Sequence, residues 1–118
     1  MKEYLKKRLL AFSYAFKGIY SMFRHEAHAL IHLCAAIAVV VAGFLFKISG
    51  LEWCVISLCI GSVFMAEAFN TAIEKLADKV CDTHDPLIGA AKDIAAGAVL
   101  LMAIATVVVA CIIFIPKF

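Results

Sequence analysis

The stretch from Ile94 to Ile115 contains no charged side chain. Roughly 20 apolar residues carry a helix across the hydrocarbon of a bilayer. In lipid the backbone has to satisfy its own hydrogen bonds, so such a segment folds as a helix. Two further apolar runs, near Ala27–Phe46 and Val55–Ala66, have the same character. Of the 118 residues, 65% are hydrophobic, against about half in a soluble domain. The chain therefore reads as an all-α integral membrane protein, with residues 1–118 forming one domain.

Ahead of the first run, residues 3–24 predict an amphipathic helix. Leu5, Leu9, Phe12, Phe16, Ile19 and Phe23 alternate spacings of four and three, which gives one apolar stripe. Lys6, Ser13, Lys17, Ser21 and Arg24 form a polar stripe beside it. A basic face next to an aromatic one suits an anionic lipid surface. Packing against the chain's own bundle fits the pattern equally well.

Three membrane spans are expected after this surface helix: residues 27–46, 51–80 and 90–115. Lys47-Ile48-Ser49-Gly50 makes a short outer turn, and Trp53 is an expected interfacial anchor. The second span is expected to leave the membrane around Glu67–Glu74 and continue as helix to about Val80. Cys81-Asp82-Thr83-His84-Asp85-Pro86 reads as a loop, since proline holds its predecessor out of the helical region. Gly89-Ala90-Ala91 and Ala95-Ala96-Gly97-Ala98 would let the third span pack closely on the second.

Charge sets the expected orientation. Lys2, Lys6, Lys7, Arg8, Lys17 and Arg24 precede the first span, and Lys75, Lys79 and Lys92 separate the last two. The positive-inside rule puts the N-terminus and the 75–93 segment in the cytoplasm. The five cysteines form no CxxC pair, so a disulfide framework is not expected. No cleavable signal peptide is evident, because charges interrupt the apolar residues of the N-terminus.

Chemistry concentrates where the second span leaves the hydrocarbon. Glu67, Asn70, Thr71, Glu74 and Asp78 follow i, i+3, i+4, i+7, i+11, which places them on one helical face. A carboxylate at the end of an apolar run is costly and points to function. Glu67 is the candidate general base for a hydroxyl presented from the bilayer. Glu74 and Asp78 lie further out, where carboxylates and phosphates together suit Mg²⁺. Glu26, at the start of the first span, is placed at the depth of Glu74, and the two would share one metal. Helix capping is the rival role for Glu26. Lys92, beside Asp93 and near Gly89, would meet phosphate as a point charge.

His28 and His32 stand four apart on one face, but the string His25-Glu26-Ala27-His28 is not HExxH and no third ligand is evident. Zinc is therefore not expected. No P-loop and no GxGxxG fingerprint occurs. Any nucleotide must be held by scattered side chains and Mg²⁺. A nucleic-acid partner is not expected.

The string Glu67-Ala68-Phe69-Asn70-Thr71-Ala72-Ile73-Glu74, then Asp78, then Ala91-Lys92-Asp93 and Ala95-Ala96-Gly97-Ala98-Val99-Leu100 resembles the prokaryotic diacylglycerol kinase and undecaprenol kinase family. The resemblance extends to Tyr14, Lys17-Gly18 and Glu26. It implies a homotrimer in the bacterial inner membrane, with a surface helix and three spans per subunit and active sites shared between neighbours. The chain's length agrees, being too short to enclose a nucleotide and a lipid alone. The implied reaction transfers the ATP γ-phosphate to a lipid alcohol with Mg²⁺, in phospholipid or cell-envelope lipid metabolism.

By that resemblance Glu67 looks like the catalytic base and Asn70 its helper, and Glu26 and Glu74 look like metal and phosphate ligands. Lys17, Asp78, Lys92 and Asp93 join Glu26 and Glu74 as nucleotide contacts, with Gly89 leaving room. Glu67 and Lys92 would meet the lipid substrate. His32 stands where the enterobacterial diacylglycerol kinases carry a glutamate. Ile31-His32-Leu33 and Ala95-Ala96-Gly97 look more like the undecaprenol kinase branch, which slightly favours undecaprenol over diacylglycerol. A small multidrug-type proton-coupled transporter using Glu67 is the alternative. That reading calls for four spans and a glutamate near the bilayer midplane.

Overall fold

A computed structural model describes every residue from Met1 to Phe118. Its elements are α1 (Lys2–His25), α2 (Ala27–Leu45), α3 (Gly50–Val80) and α4 (Pro86–Phe114), followed by a 3-10 turn at Ile115–Lys117. The protein is all-α, and α2, α3 and α4 are long and apolar enough to cross a membrane. Of 98 backbone hydrogen bonds, 89 lie within the helices, so the backbone carries few open polar groups into an apolar medium.

Residues 2–20 of α1 are exposed, including the apolar stripe from Leu5 to Ile19. Only its last turn packs inward. Met22 is buried, and the Phe23 ring meets Phe64 of α3 edge-on at 5.4 Å. The open stripe is the arrangement suited to a lipid surface, while the bundle grips the end. Glu26 adopts an extended conformation between α1 and α2, which makes a one-residue joint. A helix of 31 residues is about 46 Å long, so α3 accounts for one long dimension of the 50 × 48 × 20 Å molecule. The second long dimension requires α1 to project sideways from the bundle.

The last helix begins a turn earlier than the expected span near Ala90. Asp85 is extended, as a residue before proline should be, but Pro86 itself opens α4. The Asp85 carboxylate accepts the N–H groups of Leu87 at 2.9 Å and Ile88 at 3.1 Å, satisfying donors that the helix start leaves free. Gly89 consequently lies in the first turn of α4 rather than in the loop before it.

α4 packs chiefly on α3, and α2 leans on α3 more lightly. Most of each span faces outward, with 11–22% of its apolar window buried. Outward apolar faces are what hydrocarbon solvent requires. At the end of the bundle that carries the turn between α2 and α3 (the outer end, by the expected orientation), Ile48, Ile56 and Ile113 form a small buried cluster. Trp53, expected as an interfacial anchor, also covers Gly43, where an added Cβ would lie 2.6 Å from its ring. Phe44 tilts against the same ring at 4.9 Å.

The outer turn is closed by specific bonds. Ser49 Oγ accepts the Glu52 N–H at 3.1 Å while Glu52 Oε1 accepts the Ser49 N–H at 2.9 Å. This capping box is typically worth about 1 kcal/mol. Lys117 Nζ reaches the other Glu52 oxygen at 3.0 Å, tying the chain's end to the start of α3.

Candidate active site

Glu67 is 2% exposed, among the most enclosed side chains of the molecule. Helical periodicity carries Asn70 and Thr71 onto the same face of α3, and Thr71 is buried with it. Across from them, α4 presents Ala96, Val99, Leu100 and Ala103, and α2 contributes His28 and His32. Together with Glu67 and Asn70 these line a half-open cavity of about 270 Å³. The small residues of α4 keep this chamber open beside the carboxylate.

The polar atoms of this region are incompletely paired. Asn70 Oδ1 and Thr71 Oγ1 are buried without a hydrogen-bond partner. A buried unsatisfied polar group costs about 1–3 kcal/mol. Such groups are few in native structures and call for a specific explanation. The Glu67 carboxylate has one bonding partner: His32 Nε2 lies 3.2 Å from its Oε1. A carboxylate, an amide and a hydroxyl thus converge beside a cavity with bonding capacity to spare, where a polar group of a substrate would be satisfied.

One to three turns further along α3, the charged residues gather. Partial burial weighs most on the Glu74 carboxylate, followed by the like charge of Glu26, the opposing charge of Lys92 and the like charges of Asp78 and Glu67. Glu26 and Glu74 are both half-buried. Lys92 of α4 forms an ion pair with Asp78 of α3. Asp93 is exposed next to Lys92. Gly89 faces open space, with nothing within 4 Å of a Cβ built there, so packing within the chain does not demand a glycine. Lys17 lies apart on exposed α1, its ammonium 5.6 Å from the Tyr14 ring centroid. No bond or ion pair ties it to the acidic group.

No cluster of three metal-ligating side chains occurs in the chain. Mg²⁺ does not require one, since it commonly takes one or two carboxylates and completes its shell with phosphate oxygens and water. The mutual repulsion around Glu74 is what a bound cation would relieve, so the donor set fits.

Sequence reasoning missed two features here. The i, i+4 pair His28 and His32 reads from its spacing as a failed zinc motif, and His32 from the resemblance as a mark of substrate branch, whereas their shared face lines the chamber. Thr71 was placed on the acidic face but given no role, and the i+4 spacing from Glu67 was the available signal. The contact between His32 and Glu67 joins residues of different helices, which no local pattern encodes.

The family described as prokaryotic diacylglycerol kinase matches residues 13–114, which include every candidate residue above. The undecaprenol kinase of Bacillus subtilis is 42% identical over 113 residues, 96% of this chain and 92% of that protein. A diacylglycerol kinase of Synechocystis sp. is 36% identical over 109 residues, 92% of this chain and 62% of that protein. Three apolar helices, a buried glutamate at the edge of the spans and a match over most of the chain make it a member of the prokaryotic diacylglycerol kinase family.

Proposed function

We propose that this lipid kinase transfers the γ-phosphate of ATP to the hydroxyl of a membrane lipid alcohol, with undecaprenol favoured over diacylglycerol. The observation that carries the reading is Glu67, buried within α3 where its long apolar run ends and lining a chamber between α2, α3 and α4. The preference for undecaprenol rests on the 42% identity to a protein of that activity over nearly its full length.

Phosphoryl transfer asks a protein for positioning and charge neutralisation more than for covalent chemistry. Glu67 accepts the proton of the lipid hydroxyl as its oxygen bonds to the γ-phosphorus. The bond from that phosphorus to the β-bridging oxygen breaks, and ADP leaves. Asn70 orients the hydroxyl beside Glu67. Lys92, released from Asp78 or shared with it, offers its ammonium to phosphate oxygens. Magnesium, held by Glu26 and Glu74, would supply positive charge to the phosphates. Gly89 leaves space for the nucleotide, and Asp93 and Lys17 contact it.

The single chain leaves Glu26, Glu74 and Lys92 partly open to solvent, which supports a homotrimer whose neighbouring subunits complete each site. The basic residues ahead of α2 and between α3 and α4 support a cytoplasmic active site at the inner membrane.

The test is phosphorylation by the purified protein in lipid micelles with Mg-ATP, offering undecaprenol and diacylglycerol separately. Undecaprenyl phosphate is expected to be the main product, and Glu67→Gln is expected to abolish it. A strong preference for diacylglycerol would reverse the substrate assignment. No lipid phosphate from either alcohol, with folded protein present, would overturn the kinase reading.

A further inference from the structure

Beside the polar chamber lies a second cavity of about 270 Å³, lined almost wholly by apolar side chains such as Ile31, Val39, Ile60 and Val107. Only His32 and Ala103 line both cavities. Ala103 has no polar side-chain atom, so His32 is the one polar group at the junction. Its ring is 23% exposed, and its Nε2 stands 3.2 Å from Glu67 Oε1. The Glu67 side chain is 2% exposed and has no other polar partner in the chain. A carboxylate so enclosed is costly without a donor or a cation. Carrying hydrogen on Nε2, the imidazole supplies that donor.

Resting on the kinase reading above, we propose that His32 is the positioning residue of Glu67. Its imidazole engages Oε1, fixing the carboxylate so that Oε2 faces the lipid hydroxyl at the junction of the two cavities. The hydrocarbon next to that hydroxyl occupies the apolar cavity, which shares His32 and Ala103 with the polar chamber. His32 touches neither phosphate nor metal in this arrangement and acts through Glu67. Its loss should therefore slow turnover without weakening nucleotide binding.

Two substitutions separate the roles of the ring. His32→Leu keeps comparable bulk and removes the donor, while His32→Gln keeps an amide donor near the position of Nε2. With saturating lipid alcohol, His32→Leu is expected to lower kcat by about ten-fold, a fraction of a general base's full contribution. Its KM for Mg-ATP should remain within about two-fold of the parent, as uniform binding is untouched. His32→Gln should recover most of the lost kcat.

A second readout does not depend on turnover. A membrane-permeant carbodiimide reacts with carboxyl oxygens, and removing the imidazole that sits 3.2 Å from Oε1 leaves that oxygen of Glu67 open to the reagent. Mass spectrometry of the intact trimer or monomer should show Glu67 labelled several-fold faster in His32→Leu than in the parent or in His32→Gln. Equal labelling in all three proteins, or equal kcat in all three, would overturn the pairing. If the parent forms no lipid phosphate, the kinase reading fails by itself, and the labelling ratio still decides whether His32 controls Glu67.

Discussion

The two ends of the helical bundle handle polar groups in opposite ways. At the outer end, Ser49, Glu52 and Lys117 use one another fully: a reciprocal cap on α3 and an ion pair to the chain's end. Phe46 meets Phe114 at 5.9 Å and Phe118 at 5.1 Å, so aromatic contacts close the same region. At the inner end, Asn70 and Thr71 keep buried atoms without partners, and Glu74 sits among like charges. Each unmatched group lowers stability, so the inner end persists because the rest of the fold holds it. One end is built to hold the helices together, and the other to hold something else.

If that division is correct, substitutions at the inner end should remove activity and leave stability nearly intact. The largest effect is expected for Glu67→Gln. Losing a general base lowers the rate by about 10²–10⁴-fold, while the amide retains the shape and can still meet His32. Kinase assays with thermal unfolding of the same micellar samples read both quantities. A large loss of stability alongside the lost activity would mean that Glu67 is a structural residue and would erase the contrast between the ends.

Next in size are Glu26→Gln and Glu74→Gln. Each removes one of two carboxylates expected to share a divalent cation, so each should raise the Mg²⁺ concentration needed for half-maximal activity by about ten-fold or more. Because each also removes a like charge from its neighbour, neither should destabilise the fold. A Mg²⁺ titration of activity checks the first expectation and unfolding in micelles the second. An unchanged Mg²⁺ requirement in both variants would remove these residues from the metal site.

The outer end should respond the other way. Gly43→Ala drives a methyl group to within 2.6 Å of Trp53, and the ring is itself braced by Phe44. Overpacking of this kind costs about 1–3 kcal/mol. Unfolding should therefore occur at lower denaturant, while kcat per folded molecule stays at the parental value. Reduced kcat at unchanged stability would show that strain at the outer turn reaches the catalytic face.

Much of this contrast was legible in the sequence. Hydrophobic runs predicted three long apolar helices, because lipid leaves the backbone so few alternatives. The acidic face of α3 was legible because helical spacing is local: Glu67, Asn70, Thr71 and Glu74 are neighbours on one strip of one helix. The start of α4 was misjudged because Pro86 reads equally as a loop residue and as a first helical residue. Only the Asp85 carboxylate bonding back to Leu87 and Ile88 separates the two. The contact of His32 with Glu67 and the meeting of two cavities there depend on how α2 leans against α3. Trp53 over Gly43 is similar, a fit between side chains distant in sequence.

The smallest expected effect concerns Lys47, the one non-glycine residue with a positive φ, at 51°. It follows the C-terminus of α2 in the position where helices commonly place glycine. The next residue, Ile48, donates its N–H back to Gly43 O at 3.1 Å, so the turn that needs this conformation is closed by a bond. A side chain in the left-handed region costs about 1 kcal/mol, and glycine removes that strain while adding flexibility to the unfolded chain. Lys47→Gly should thus change stability by less than about 1 kcal/mol, in the stabilising direction, with no change in kcat or in the Mg²⁺ requirement. A clear destabilisation would show that the lysine side chain contributes to the outer turn. The closed end would then hold a further polar anchor beyond Ser49, Glu52 and Lys117.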